Sequence, residues 1–192
     1  MADLMIDIEA LGKSPDSVIL TIGAQVFDPS PESFGWIEKS MYDQVTDRYY
    51  LPHLNVRVDI DSQINEYSRT TDPDTISWWG KQSAEAQEEA LSLENRISLS
   101  SALEQLIGMA QLCKRVWSKG PTYDIMMLEN ALNQTGKRIP WKFWDVRDAR
   151  TVYSLCPLLD TRLNGHIALD DCRNQIVLLQ EAFRILGITA IK

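Results

Sequence analysis

The chain has 192 residues, of which 44% are hydrophobic and 24% charged, and 19 Lys plus Arg against 27 Asp plus Glu leave a net charge of −8. Such a length suits one domain (residues 1–192) with a sizeable core, and the composition excludes a disordered, collagen-like or repeat protein. The charge excludes a broad basic face gripping nucleic acid, but not an enzyme that holds phosphate through bound cations. No run approaches the roughly 18 apolar residues of a membrane helix. The opening MADLMIDIEA has no basic stretch before its apolar residues, so no signal peptide is expected. Cys113, Cys156 and Cys172 form no CxxC pair, which points to a reducing cytoplasm.

Leu4 to Ile8 and Val18 to Phe27 read as strands, and their near-continuous hydrophobicity suits burial on both faces. The GKSPDS between them is turn chemistry, with Pro15 fixing φ before Asp16. Phe34 to Tyr42 is a further apolar stretch able to extend the pair into an antiparallel meander. Asp43 to Thr71 is polar and irregular, apart from a strand candidate at Leu54–Val58. Asp72 then caps a helix opening on Pro73, with helical composition through Glu94 and again from Leu99 to Cys113. Val116-Trp117 is a short strand candidate, and Tyr123 to Thr135 a helix stopped by Gly136. A strand or bend near Phe143–Val146 precedes a helix near Arg147–Leu155. The last helix runs from about His166 to Leu186, stopped by Gly187. Strands first, then helices interleaved with short strands, indicate an α/β layer architecture.

Three places carry candidate chemistry. Asp7 and Glu9 end the first strand, and alternation puts them on one face, where two carboxylates repel unless a cation holds them. A lone DxE is equally what a strand emerging into solvent looks like. Asp124 falls in the first turn of a helix, on the stripe of Leu128 and Ala131. An acid there also serves the helix dipole without any function. On the last helix the apolar stripe is Ala168, Cys172, Ile176, Leu179, Phe183 and Leu186. Asp170 lies opposite the centre of that stripe, whereas Asp171 borders it at about 95°. Periodicity alone therefore sends Asp170 to solvent and Asp171 to a cleft. His166 follows Asn164-Gly165, and a neutral imidazole can take a proton from water.

Together, Asp7, Glu9, Asp124 and Asp171 supply carboxylates from a strand and two helices, with His166 nearby in sequence. Such a set calls for two divalent cations, and oxygen-only ligation favours Mg²⁺ or Mn²⁺ over zinc. Two ions would clamp the attacking and leaving oxygens of a phosphodiester, with His166 as general base for water.

These motifs resemble the DEDDh family of 3′-5′ exonucleases: DIE at Asp7–Glu9, Asp124, and HIALDD at His166–Asp171. The family's H-x-A-x-x-D pattern implies Asp171 rather than Asp170 as the ligand, and the histidine marks the DEDDh branch. DIEALGKSPDSVILTIGAQVFDP, DTISWWGKQS, WSKGPTYD and WDVRDART are similar to exodeoxyribonuclease VIII and the T-even phage exonuclease A group. A mycobacterial exoribonuclease shares much of this pattern, so the resemblance leaves both DNA and RNA open. It implies a ribonuclease H-like fold, a mixed central sheet flanked by helices. It also implies metal-dependent hydrolysis of single-stranded DNA, or of RNA, from the 3′ end to nucleoside 5′-monophosphates. Asp7 would bridge the ions, and the source would be a bacterium or a phage-infected host. Leu11 and Gly12 stand where relatives bring an apolar side chain and backbone to the last base. Ala10 departs from the Thr many relatives carry, which removes one expected hydrogen bond to the terminal nucleotide.

Trp78-Trp79 offer aromatic platforms for bases, or core rings. Lys13, Lys81, Lys119 and Arg162 are candidate phosphate contacts, or solvated surface charges. Asp145, Arg147, Asp148 and Arg150 read as a structural ion-pair and cap cluster. The rivals to an exodeoxyribonuclease are an exoribonuclease trimming RNA 3′ ends, a non-catalytic nucleic-acid-binding module and a Mg²⁺-dependent phosphatase of small molecules. No membrane partner is expected, and oligomeric state has no signal in the sequence.

Overall fold

The computed structural model describes residues 2–30, 32–33, 35–39, 41–43, 48–50, 52–157, 159 and 165–189. Its strands are β1 (Asp3–Ala10), β2 (Ile19–Phe27), β3 (Met41–Asp43), β4 (Arg48–Tyr50), β5 (His53–Val58), β6 (Arg96–Ile97), β7 (Val116–Ser118) and β8 (Val146–Asp148). The helices are α1 (Ile60–Tyr67), α2 (Pro73–Trp79), α3 (Ala84–Leu91), α4 (Leu99–Ala110), α5 (Asp124–Gln134), α6 (Ala149–Ser154) and α7 (Ala168–Ile185). Six strands form one sheet in the order β6-β5-β2-β1-β7-β8. β1/β2 and β2/β5 are antiparallel, while β1/β7, β7/β8 and β5/β6 are parallel, so the sheet is mixed as expected.

Alternation along β1 divides the core into two layers. Leu4, Ile6 and Ile8 face α4 and α5, packing with Leu103, Leu106, Met127 and Leu128. Met5 faces the other side, where α6 and α7 contribute Tyr153, Cys172, Ile176 and Leu179. Each such side chain contributes about 1.5–3 kcal/mol on burial, and both faces are covered. This is why β1 and β2 are buried along nearly their whole length, polar residues such as Asp3, Thr21 and Gln25 included. Asp7 and Glu9 share Met5's face, so the fold aims them at α7 rather than at solvent.

Three expectations are corrected. Among the described residues, the apolar stretch from Phe34 to Tyr42 does not extend the main sheet: β5 is β2's neighbour, and β3 pairs with β4 in a separate ribbon. Phe34 and Ser40 lie outside the described residues. The helix expected from Pro73 to Glu94 is two helices, because the Ser83 hydroxyl accepts from the Ala86 amide and starts α3 afresh. The supposedly irregular 43–71 segment contains α1, capped by Asp59 on the Ser62 amide. Its inward residue is Gln63, fully buried, whose side chain bonds both the amide and the carbonyl of Ile19. A polar residue facing inward hides a helix from a reading based on apolar spacing. Asp72 does cap α2, accepting from the Asp74 amide ahead of Pro73's turn.

Candidate active site

The site is built at the carboxyl end of β1. The register shifts between Glu9 and Ala10, an irregularity that re-aims the strand where the acids stand. Asp124 opens α5, and its Oδ1 accepts from the Ile8 amide at 3.2 Å, tying the helix start to the strand between Asp7 and Glu9. α7 begins directly over β2. A Cβ at Gly23, which faces Asp7 across the strands, would lie 2.3 Å from the Ala168 carbonyl carbon. Only glycine permits that approach, which brings Asp171 down to the sheet. Asp171 is 8% exposed, while the Asp170 side chain is 58% exposed, as helical spacing requires.

His166 lies before α7 rather than in it, correcting the expected helix start. Its φ of +57° is left-handed, so the helix cannot begin there. That turn lets the His166 amide donate to Asp171 Oδ2 at 3.0 Å, while the ring's Nδ1 sits 3.9 Å from Glu9 Oε1. Ligand atoms of Glu9, His166 and Asp171 all lie within 4.8 Å of one another. Edge-to-face packing against Trp78, with centroids 4.8 Å apart, supports the imidazole from the α2 side.

The electrostatics are unfavourable without a cation. Burial raises the Asp7 carboxyl well above its usual range, helped by the charges of Asp124, Glu9 and Asp171, against one bond from Gln175. Burial and the Asp171 and Asp124 charges push Glu9 up to about 8. Asp124 rises to about 6 because burial outweighs the nearby Ser118 hydroxyl and the Ile8 amide. Asp171 is raised by burial against the His166 amide. Its buried Oδ1 has no hydrogen-bond partner among the described residues, the state of an oxygen that a cation can complete. Clustered carboxylates with an orphaned oxygen fit hard divalent ions such as Mg²⁺ or Mn²⁺.

Two cavities meet here. One of about 280 Å³ is lined by the four carboxylates, His166 and Gln175, with Lys119 and Arg150 also on its wall. The other, about 690 Å³, is lined by Ala10, Gly12, Thr75, Trp78 and Lys81 among others, and has the volume of a small-ligand pocket, enough for a nucleotide. Glu9, Tyr123 and Arg150 line both.

Residues 2–183 match the model of the Rv2179c-like 3′-5′ exoribonuclease domain. The chain belongs to that family. Among solved structures it is similar to the zinc-bound complex of E. coli exonuclease I with single-stranded DNA (TM-score 0.66, 11% identity), covering 98% of this chain and 41% of that one. The apo form of exonuclease I is similar too (TM-score 0.61, 13% identity, 97% of this chain and 44% of that one). The nuclease domain of 3′hExo, a DEDDh family member bound to rAMP, matches at TM-score 0.53 and 14% identity, with 100% and 94% covered. The chain thus spans about two-fifths of the exonuclease I chains. No curated protein matches its sequence. The fold is ribonuclease H-like.

Within this exoribonuclease-domain fold, the expected residues do not all play equivalent parts. Asp7, Glu9, Asp124, Asp171 and His166 converge. Of the two tryptophans, Trp78 is 39% exposed, whereas Trp79 is 1% exposed and donates from Nε1 to the Ala10 carbonyl. Trp79 is therefore a core ring holding β1's end, reaching the larger cavity only at its floor, and Trp78 is the ring left exposed for a base. Leu11 is also buried, packed with Leu20 and Trp79, and Gly12 reaches the larger cavity. Lys13 and Lys81 line that cavity, and Arg162 lies outside the described residues. The sequence reading missed Gln175, whose Nε2 donates to Asp7 Oδ1 at 2.8 Å. Its position four residues after Asp171 was the available signal, since that spacing repeats a helical face. It also missed Tyr123, whose hydroxyl donates to the Gly12 carbonyl at 3.2 Å and which lines both cavities.

Proposed function

We propose that the chain removes nucleotides singly from the 3′ end of single-stranded nucleic acid, releasing nucleoside 5′-monophosphates. The observation that carries this reading is the cluster of four carboxylates and a histidine opening beside a nucleotide-sized cavity. Asp7, Glu9, Asp124 and Asp171 would hold two divalent cations, Mg²⁺ or Mn²⁺. When bound, such ions neutralise the carboxylates and stabilise charge on a phosphodiester. His166, with Nδ1 toward Glu9 and its ring against Trp78, orients the attacking water and takes its proton. Gln175 fixes the rotamer of Asp7. The larger cavity receives the terminal nucleoside, with Gly12 backbone and Trp78 as its walls.

DNA is the substrate favoured by the likeness to exodeoxyribonuclease VIII and the T-even phage exonuclease A group. RNA is the second reading, favoured by the family match over residues 2–183. A reducing cytoplasm fits three free cysteines, and among the described residues no helix is long and apolar enough to cross a membrane. The test is degradation of 5′-labelled DNA and RNA of one sequence with Mg²⁺, Mn²⁺ or chelator. A metal-dependent ladder shortening from the 3′ end, absent in Asp7→Ala, is expected, and the faster substrate decides the sugar. Tight strand binding in chelator without turnover in metal would instead establish a binding module.

A further inference from the structure

Arg150 stands in the first turn of α6, outside every motif that defines the acidic cluster. It nevertheless lines both cavities, the only cation to do so among the described residues. Its guanidinium is already placed: Nη2 donates to the Lys119 carbonyl at 2.9 Å, over Gly120. Gly120 has φ +128°, and a Cβ there would sit 3.4 Å from Arg150 Nη2, so bare backbone forms the shelf on which the guanidinium rests. The neighbouring acid does not neutralise it. Asp148 is spent on its own helix start, accepting from the Arg150 amide and the Thr151 hydroxyl. Among the described residues no carboxylate lies within ion-pair distance of the guanidinium. A chain of net charge −8 thus keeps a positioned, unpaired arginine at the mouth of its most acidic cleft.

We propose that Arg150 binds the phosphate at the reacting end, clamping the 5′-phosphate of the terminal nucleotide where the two cavities join. This rests on the functional reading above. If the nucleoside fills the larger cavity and the phosphate lies over the carboxylates, that phosphate crosses the seam, and Arg150 and Tyr123 flank it there. An arginine presents a planar fork of donors to phosphate oxygens, and with Nη2 bonded to the Lys119 carbonyl the guanidinium keeps further donors for a phosphate at the seam that it lines. The Arg150 side chain thus serves substrate binding, while its backbone amide belongs to the Asp148 cap that its sequence context suggests.

The test is calorimetric titration of adenosine 5′-monophosphate, and separately of adenosine, into the Mn²⁺-loaded full chain, as wild type, Arg150→Ala and Arg150→Lys. Arg150→Ala should weaken the monophosphate by roughly 10- to 100-fold and leave adenosine unchanged, with Arg150→Lys between. A merely structural arginine would weaken both ligands alike, and that result, or an unchanged monophosphate affinity, overturns the proposal. As a second readout, the salt dependence of binding to a single-stranded oligonucleotide should become shallower by about 0.7 in log–log slope in Arg150→Ala. An unchanged slope counts against it equally. Wild-type chain that binds the monophosphate through Arg150 yet shortens no strand would sink the nuclease reading and leave this one standing.

Discussion

The two ends of β1 carry buried acids with opposite fates. At its start Asp3 is fully buried, and Arg115 Nε and Trp117 Nε1 each donate to Oδ2 at 2.8 Å. Burial still raises the Asp3 carboxyl, but both partners pull it back, and the geometry is that of a closed ion pair. At the other end, Asp7 and Glu9 meet two more carboxylates, a lone amide from Gln175 and an imidazole at 3.9 Å. One acid is completed by the chain. The other group is what the proposed divalent cations would complete. Asp3 and Glu9 are similarly enclosed, and what separates them is that, among the described residues, only Asp3 has a Lys or Arg within ion-pair distance.

The largest contrast between the two ends should come from neutralising them in turn. Asp7→Asn should reduce strand cleavage to background, a loss of about 10³-fold or more, measured with a 5′-labelled oligonucleotide. The same variant should melt higher than wild type in chelator, because it removes one of several repelling buried charges. A lower melting temperature would mean that the acidic end is structural after all. Asp3→Ala should do the reverse, removing the buried carboxylate that Arg115 and Trp117 donate to, at a cost of about 3–5 kcal/mol in urea unfolding. Its Mn²⁺ affinity should stay that of wild type.

The pH dependence of stability sharpens the same contrast. Glu9 and Asp124 titrate near 8 and 6 in the folded chain, above the ordinary carboxylate range near 4. A raised folded pKa means that the folded state holds protons the unfolded state has released. Stability of the metal-free chain should therefore be greatest near pH 4 to 5 and fall as pH climbs through 6 and 8. Mn²⁺ should restore it most at the alkaline end, where protons no longer compete for the carboxylates. Thermal melts at pH 5, 6.5 and 8, with and without Mn²⁺, check this; a Mn²⁺ effect that is flat with pH would contradict it.

The smallest effect concerns Trp78. Its contact with the His166 ring is of a kind that contributes about 0.5–1.5 kcal/mol, so Trp78→Ala should lower kcat roughly 2- to 10-fold, with Trp78→Phe retaining most of the rate. A rise in KM with kcat unchanged would show that the ring serves the base instead.

How much of this was legible in the sequence depended on whether a signal was local. Asp171 could be separated from Asp170 because helical spacing alone decides which faces inward, and Asp7 pairs with Glu9 by strand alternation. β1, β2 and α7 were visible through their apolar patterns, give or take a residue or two at their ends. α1 was not, because Gln63 faces the core in place of an apolar residue. Trp78 and Trp79 are adjacent and alike, yet one is exposed and one buried, a distinction fixed only by where α2 docks on Ala10. Arg150 was grouped with structural neighbours because Gly120, which supports it, lies 30 positions earlier in the chain. Long-range contacts of this sort leave no local pattern to read.

The most direct measurement is a calorimetric titration of Mn²⁺ into the wild-type chain and Asp7→Asn at pH 8. Two ions bound per wild-type chain with release of protons, and loss of that binding in Asp7→Asn, is the expected result. Identical isotherms for the two proteins, or no binding to either, would contradict the claim that the carboxyl end of β1 is completed by divalent cations.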